Sequence, residues 1–134
     1  SWFELSSLKE LGATIGGHSL GHIDLTDVKN KSIMSSCLSF DKNNIDLHLS
    51  QNTQIFAYPF GRWDSDSVKA VSESGYKYAF TSDSGYLEDS TDNFKLLRTN
   101  VGMRSYIVTR AYIEGCAEIL TSDIAKLRDI FSAN

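Results

Sequence analysis

The sequence has little proline and little cysteine: Pro59 is the only proline, and Cys37 and Cys116 are the only cysteines. Neither cysteine belongs to a CxxC pattern, which excludes a zinc ribbon and a dithiol redox motif. We expect both cysteines to be buried thiols. A single disulfide between them is the alternative that the sequence leaves open.

Long apolar runs and clusters of basic residues are also missing. No run approaches the roughly 18 apolar residues that a membrane span needs, and no signal peptide is recognisable. The net charge of −4, without any Lys/Arg cluster, excludes a nucleic-acid surface and favours a neutral or cationic partner. Ser1 and Trp2 open the chain without a methionine, which indicates processing or excision from a longer polypeptide, so the compartment stays open.

The overall composition is that of a globular protein. The 134 residues are 41% hydrophobic and 22% charged, close to the average for folded domains and unlike a disordered tail or a fibre. A chain of this length normally forms one domain with a sizeable core. We therefore expect residues 1–134 to form one domain.

The first half of the chain alternates helical and extended patterns. Leucines spaced three apart after Trp2 predict a helix that Gly12 ends, and the short apolar run Ala13–Ile15 predicts a strand. A second helix is expected from a cap at residues 25–27, with a break over Ser39–Asn44 and another helical turn or two over Ile45–Leu49.

The second half continues the alternation. A strand at Ile55–Tyr58 ends at Pro59, and a helix capped by Asp64 or Ser65 runs to Gly75. The remaining predicted elements are a strand at Tyr76–Thr81, a loop at Ser82–Asn93, a strand at Leu96–Val101 and helices at Ile107–Ala117 and Ser122–Phe131. This order predicts βα units and a largely parallel sheet, and because a complete eight-unit barrel needs about 250 residues, only part of a barrel fits.

Two of the three histidines, His18 and His22, lie in the segment Gly16–His22 directly after the first predicted strand. At spacing i and i+4 on a helix, two imidazoles share a face and can bind one Zn²⁺ at about 2.0–2.1 Å. A chance pair on a solvated helix is the alternative. His48 has no histidine partner or glycine turn beside it, and we expect it at the surface.

Several segments together resemble the polysaccharide deacetylases, the NodB-like metal-dependent carbohydrate esterases. In chain order they are a helix ending at Gly12, ATIGGHSLGH at 13–22, FAYPFG at 56–61, SGYKYAFTSDSG at 74–85 and LLRTNV at 96–101. The histidine segment and FAYPFG, in this order and spacing, are specific to the family. The resemblance covers Trp2 to about Val101.

The resemblance implies a distorted (β/α) barrel that removes acetyl groups from N-acetylated glycans. It also implies one divalent metal ion in the active site, for which zinc is the favoured identity. His18 and His22 correspond to metal ligands, and the Phe60 backbone N–H corresponds to a donor for the oxyanion. The residues that correspond to the substrate groove are Tyr58, Pro59, Gly61 and, beside the turn, Trp63. For Trp63, core packing is an equal alternative, whereas core packing is the expectation for Trp2.

The sequence departs from the family pattern at three places. The strand whose two aspartates supply the base and the third ligand is absent and should precede Trp2, so we expect an incomplete domain. Ala57 stands where many members have an arginine, and no histidine follows His48 to act as the acid. We expect Arg98 to supply the missing positive charge, and we place Asp83 at the mouth of the site as a catalytic candidate.

Two further carboxylates, Asp24 and Asp27, could replace the missing ligand, but acidic residues at a helix start more often serve as caps.

The leading function that the resemblance implies is a metal-dependent deacetylase of N-acetylated glycans. The alternative is a degenerate, non-catalytic domain that binds carbohydrate or is structural. The resemblance favours a secreted or cell-envelope protein, and the open sheet edge favours self-association.

Overall fold

A computed structural model describes residues 1–85, 87–99 and 109–110. The helices are α1 (Trp2–Glu10), α2 (Lys31–Leu49) and α3 (Ser65–Glu73), and the strands are β1 (Ile55–Ala57) and β2 (Tyr78–Phe80). Short 3₁₀ helices occupy Leu20–His22, Leu25–Asp27 and Pro59–Gly61. Contacts divide the chain into two compact units, Ser1–Arg98 and Thr99–Asn134, and the helices and strands named above all lie in the first.

Helix α1 begins at a capping box in which the Ser1 hydroxyl and the Glu4 side chain bond each other's backbone, and it ends before Gly12 at φ 93°. The predicted helix and its glycine end are thus confirmed. The expectation that Trp2 packs in the core is wrong. Trp2 is 39% exposed, and its ring stacks on the ring of the exposed His48 with 4.2 Å between the centroids, so α1 meets α2 at the surface.

Helix α2 is one continuous helix, and the predicted break over Ser39–Asn44 is wrong. The stretch contains no glycine or proline, and its polar residues do not interrupt a buried stripe of Met34, Leu38, Ile45 and Leu49. The cap is also displaced. Asn30 accepts hydrogen bonds from the Ser32 and Ile33 backbone N–H groups, whereas residues 25–27 form a separate 3₁₀ helix.

The sheet is parallel, as predicted. Strand β1 pairs with β2, Phe56 opposite Ala79, and isolated parallel bridges join Gly17 to Phe56 and Phe80 to Leu96. The first predicted strand, Ala13–Ile15, is therefore reduced to a bridge two residues later. The predicted strand from Leu96 begins with a bridge, and its last two residues lie outside the described part of the chain.

The core lies between the sheet and helices α2 and α3. It consists of Leu25, Met34, Leu38, Phe56, Tyr58, Ala70, Val71, Tyr76 and Ala79. Helix α3 is capped by Asp64, whose carboxylate accepts from the Ser67 N–H at 2.8 Å, and it places Val71 in the core, both as predicted. Cys37 is a free, half-buried thiol, a partial departure from the expected burial.

Two predicted helices fall largely outside the described residues. Of Ile107–Ala117 only residues 109–110 are described, and they are helical, whereas Ser122–Phe131 and the environment of Cys116 lie outside the described part.

Among the residues described, no helix has both the length and the apolar character that crossing a membrane requires.

Candidate active site

Gly16 and Gly17 allow the backbone before the histidines to lie directly against β1. The Gly17 N–H donates to the Ile55 carbonyl and the Gly17 carbonyl accepts from the Ala57 N–H, each at 2.9 Å. A Cβ on Gly16 would lie 2.8 Å from the Ile55 carbonyl oxygen, and one on Gly17 would collide with the Tyr76 hydroxyl. These two glycines are needed because the backbone passes so close to β1 and Tyr76.

The two predicted metal ligands lie side by side. The ring centroids of His18 and His22 are 4.8 Å apart, with 60° between the ring planes. The expected α-helical face is wrong, because the segment is a tight loop in which Ser19, Gly21 and His22 all have positive φ. The left-handed residues bring the second ring back over the first.

The orientation of His18 is set by a hydrogen bond to β1. Its Nδ1 lies 2.7 Å from the Ala57 carbonyl oxygen. Because a carbonyl only accepts, Nδ1 is the donor in this hydrogen bond, and in the neutral ring the lone pair then lies on Nε2. A metal-binding histidine commonly has this arrangement, with one ring nitrogen donating to the protein and the other free for the ion.

Ser19 closes the loop between the histidines. Its buried hydroxyl accepts from the Ile23 N–H at 3.0 Å and donates to the Ile23 carbonyl at 3.2 Å. No ring nitrogen of His22 has a hydrogen-bond partner within residues 1–85 and 87–99. The loop thus holds the His22 ring in place while leaving its nitrogens available.

The Pro59–Gly61 turn presents Phe60 to the histidines. Phe60 has φ 57° and is 62% exposed, and its ring centroid lies 4.5 Å from that of His22. Within the described part of the chain, nothing accepts a hydrogen bond from its backbone N–H. Gly61, at φ 70°, has no room for a side chain because Ser82 lies where a Cβ would be.

Tyr58 and Pro59 pack on the core side of this turn and do not form a groove wall. Both side chains are fully buried, and the Tyr58 hydroxyl donates to the Phe94 carbonyl at 3.0 Å. Burial raises the pKa of this hydroxyl well above its usual range. The prediction that these two side chains contact substrate is therefore corrected, since the surface of the turn belongs to Phe60 and its neighbours.

Beside the turn is an open cavity of about 460 Å³, lined by Thr26, Phe60, Gly61, Arg62, Trp63, Ser82 and Asp83. Trp63 Nε1 donates to Asp83 Oδ2 at 2.9 Å, and Lys95 Nζ lies 5.0 Å from the centroid of the Trp63 ring. The cavity brings Asp83, from the segment at 74–85, together with Phe60 and Trp63, which lie in and beside the FAYPFG turn. Phe60 is the residue shared by the cavity and the histidine pair.

Asp24 acts as a cap and as the partner of an arginine that the sequence interpretation missed. Its Oδ1 accepts from the Thr26 N–H at 3.0 Å, and its Oδ2 lies 3.1 Å from Arg62 Nη1. Burial alone would raise the pKa of Asp24, but the bonds from Thr26 and Arg62 lower it overall. With both oxygens engaged, Asp24 fits the cap role and not that of a replacement ligand.

Arg98 lies beside the cavity. Its guanidinium Nη2 is 3.4 Å from the Ser82 hydroxyl, and its backbone N–H donates to the Asp83 carbonyl at 2.9 Å. Among the described residues, its guanidinium forms no hydrogen bond with either histidine. Arg98 is thus a neighbour of the Trp63–Asp83 pair.

The site also includes a carboxylate that the sequence did not reveal. Asp41 Oδ2 accepts the backbone N–H of His18 at 2.9 Å. Asp41 was missed because it lies within the break predicted for α2. In a continuous helix, Asp41 falls in register with the buried Leu38 and Ile45, and a carboxylate in an apolar stripe is the signal that could have identified it.

The histidine pair supplies two of the ligands that a divalent ion needs. His18 has a free Nε2, and the His22 ring is not engaged in a hydrogen bond, so the donor chemistry fits zinc. In the part of the chain that the structure describes, no group of three His, Cys, Asp or Glu side chains could hold an ion. A third protein ligand is not provided there.

Residues 1–79 match the family model described as polysaccharide deacetylase. The chain belongs to this family. Among curated proteins, it is similar to YxkH of Bacillus subtilis, named for the polysaccharide deacetylases, with 27% identity over 113 residues. That match covers 83% of this chain and 40% of the relative, so the chain spans well under half of its relative's length.

Solved structures of deacetylases share the fold. The Streptococcus pyogenes deacetylase PplD, in complex with acetate, has a TM-score of 0.70 at 23% identity, covering 73% of this chain and 43% of that one. A polysaccharide deacetylase from Bacillus cereus has a TM-score of 0.73 at 20% identity, covering 83% and 35%. A de-N-acetylase from Aggregatibacter actinomycetemcomitans gives 0.71 at 13%, covering 84% and 52%.

Proposed function

We propose that this chain is part of the catalytic domain of a metal-dependent deacetylase that releases acetate from N-acetylated polysaccharides or oligosaccharides. The observation that carries the proposal is the pair of histidine rings with 4.8 Å between their centroids, next to the exposed Phe60. Family membership and the shared fold support the same reaction. The parallel sheet with open edges also fits an incomplete (β/α) barrel.

One divalent ion, with zinc as the favoured identity, would be held by His18 Nε2 and a ring nitrogen of His22. When bound, such an ion polarises an acyl carbonyl and lowers the pKa of its water ligand. The Phe60 N–H, free within the described residues, would donate to the oxyanion that develops on the acetyl group. Its exposed ring and that of Trp63 offer apolar faces to a sugar.

Asp83 and Arg98 are the remaining catalytic candidates, and we assign them positions at the rim. Asp83 holds the Trp63 indole N–H, which fixes the ring at the cavity wall. Arg98, beside Ser82, would place its positive charge next to the substrate. Gly61 completes the groove, because only a glycine lets the turn approach Ser82. An N-acetylated glycan is the partner that this groove would bind.

The test is acetate release from N-acetylglucosamine oligomers with excess Zn²⁺. We expect no turnover from the 134-residue chain alone, because among its described residues no third metal-ligating side chain joins the two histidines. The chain extended at its amino end by a strand that ends in two aspartates should release acetate. His18→Ala in that extended chain should abolish release. Turnover by the unextended chain would contradict the missing-ligand argument, and Asp83 would be the first residue to mutate.

The alternative function is a non-catalytic carbohydrate-binding or structural domain. The absence of a third ligand among the described residues favours it. It predicts that the extended chain binds the oligomers without releasing acetate, and that His18→Ala leaves this binding unchanged. The same samples test self-association through the open sheet edge beside Gly17, which sedimentation would detect as a concentration-dependent mass.

A further inference from the structure

Asp41, in the middle of α2, connects the helix layer to the loop that carries the histidines. Its Oδ2 accepts the backbone N–H of His18 at 2.9 Å and the hydroxyl of Tyr76 at 3.3 Å. The space that these atoms occupy is the space that a side chain on Gly17 would need. A helix, the histidine loop and the segment before β2 therefore meet at one carboxylate oxygen.

The bond from Asp41 acts on His18 at a second point, distinct from its ring. Gly17, the residue before His18, bonds to β1 through both its N–H and its carbonyl, and His18 Nδ1 bonds to the Ala57 carbonyl at 2.7 Å. The His18 N–H lies between these two anchors. A carboxylate there fixes the backbone from which the ring is projected, and so keeps Nδ1 within reach of Ala57.

Tyr76 keeps Asp41 in place. Its side chain is buried in the core, and its hydroxyl points at the same Oδ2 that the His18 N–H uses. Burial and the Asp41 charge raise the pKa of Tyr76 well above its usual range, so the hydroxyl keeps its proton and stays a donor at neutral pH. Two donors thus converge on one oxygen, which restrains the carboxylate rotamer.

We propose that Asp41 is the positioning residue of the metal site, which fixes His18 as the Nδ1–H tautomer with its Nε2 directed away from β1. The metal part of this statement rests on the proposed function, whereas the tautomer part does not. The role follows from the contacts of Asp41 with the His18 backbone and with Tyr76. It extends the site beyond the histidine and FAYPFG motifs.

The first experiment uses the 134-residue chain without metal, labelled with ¹⁵N. Long-range ¹H–¹⁵N spectra at pH 8 report which imidazole nitrogen carries the proton. We expect the Nδ1–H pattern for His18 in the wild type and in Asp41→Asn, which keeps an acceptor oxygen. Asp41→Leu should give a mixture of tautomers. An unchanged Nδ1–H pattern in folded Asp41→Leu would overturn the proposal.

Asp46→Leu is the matched control. Asp46 lies on the same helix, and its carboxylate accepts the Thr53 N–H at 2.6 Å and the Lys42 ammonium at 2.7 Å, away from the histidine loop. Its loss should destabilise the chain without changing the His18 tautomer. If Asp46→Leu changes the tautomer as much as Asp41→Leu does, the effect is general loosening and the proposal fails. Should Asp41→Leu not fold, Asp41→Ala is judged by the same criterion.

The second experiment measures Zn²⁺ affinity by calorimetry on the same variants. Asp41→Leu should weaken binding about 10-fold or more, the size seen when a residue that orients a metal ligand is removed. Asp41→Asn and Asp46→Leu should stay close to the wild type. A wild type that binds no Zn²⁺ would refute the proposed metal site, while the tautomer spectra would still decide whether Asp41 positions His18.

Discussion

The His18 ring and the Ala57 carbonyl are joined by a hydrogen bond of 2.7 Å between residues 39 positions apart in the chain. Ala57 is the last residue of β1, and the Pro59–Gly61 turn follows directly. The bond therefore fixes the distance between the first histidine and the turn that presents Phe60. Two sequence motifs that are far apart become one site through a backbone carbonyl.

The paired histidines should bind Zn²⁺, weakly because two protein ligands are fewer than the three typical of catalytic zinc. His18→Ala and His22→Ala should each abolish the heat of binding in calorimetry. His48→Ala is the control, because its ring stacks on Trp2 and lies on α2, so binding should be kept. Equal losses in all three variants would remove the metal assignment.

The proximity of the histidines could be predicted from their spacing, but the local structure could not. A helix and the observed loop both bring residues i and i+4 together, so the spacing does not distinguish between them. Ser19 and His22 adopt positive φ without being glycine, a conformation that sequence patterns assign to glycine. The tertiary contact to β1 selects it.

Gly17→Ala should destabilise the chain by about 2 kcal/mol, the usual cost of forcing a methyl group into filled space. The atom nearest to the new Cβ is the Tyr76 hydroxyl oxygen. Tyr76→Phe removes that oxygen, so the double variant should lose less than the sum of the single variants. Urea denaturation of the four proteins measures the coupling, for which we expect at least about 0.5 kcal/mol. Strict additivity would show that the two groups do not meet.

Asp46→Asn should lower the free energy of unfolding at pH 7 by about 1–2 kcal/mol, because the half-buried carboxylate loses its charge toward Lys42. Burial alone would raise the pKa of Asp46, but Lys42 and Thr53 lower it below the ordinary value near 4. A lowered folded-state pKa means that the contribution is complete above about pH 4 and is lost as the pH falls through the folded-state value.

Urea denaturation of Asp46→Asn and the wild type at pH 7, 5, 4 and 3 tests this pH dependence. The difference in the free energy of unfolding between the two proteins should shrink only in the most acidic samples. Asp66→Asn is the control. Its partner Lys31 and Asp66 itself are both exposed, so the free energy of unfolding should hardly change at any pH. A difference for Asp46→Asn that stays constant down to pH 3 would contradict the assignment.

Ser50→Gly should stabilise the chain by about 0.5–1 kcal/mol. Ser50 ends α2 at φ 47° and ψ 56°, the left-handed region that glycine adopts without steric cost. The gain exceeds the additional chain entropy that a glycine brings to the unfolded state. The control is Ser74→Gly at the end of α3, where φ is −78° and the hydroxyl donates to Ala70, so a loss is expected. A gain in both variants would refute the backbone explanation.

Helix α3, its Asp64 cap and the parallel strands β1 and β2 could be predicted, because each follows from a local signal that burial reinforces. The burial of Tyr58 could not. In FAYPFG every side chain is large or apolar, so the sequence does not say which ones face the core. Strand alternation places Phe56 and Tyr58 on the buried side, whereas the left-handed turn at Phe60, φ 57°, directs that side chain outward.

His22 and Phe60 both have φ 57°, and their rings touch. Each left-handed backbone costs about 1–2 kcal/mol for a residue with a side chain, and glycine would relieve it at either position. A library of this chain sorted for heat resistance alone would thus enrich glycine at residues 22 and 60. It would discard the imidazole and the phenyl ring in the same step. Selection for fold stability and selection for the imidazole and phenyl side chains therefore favour different residues at positions 22 and 60.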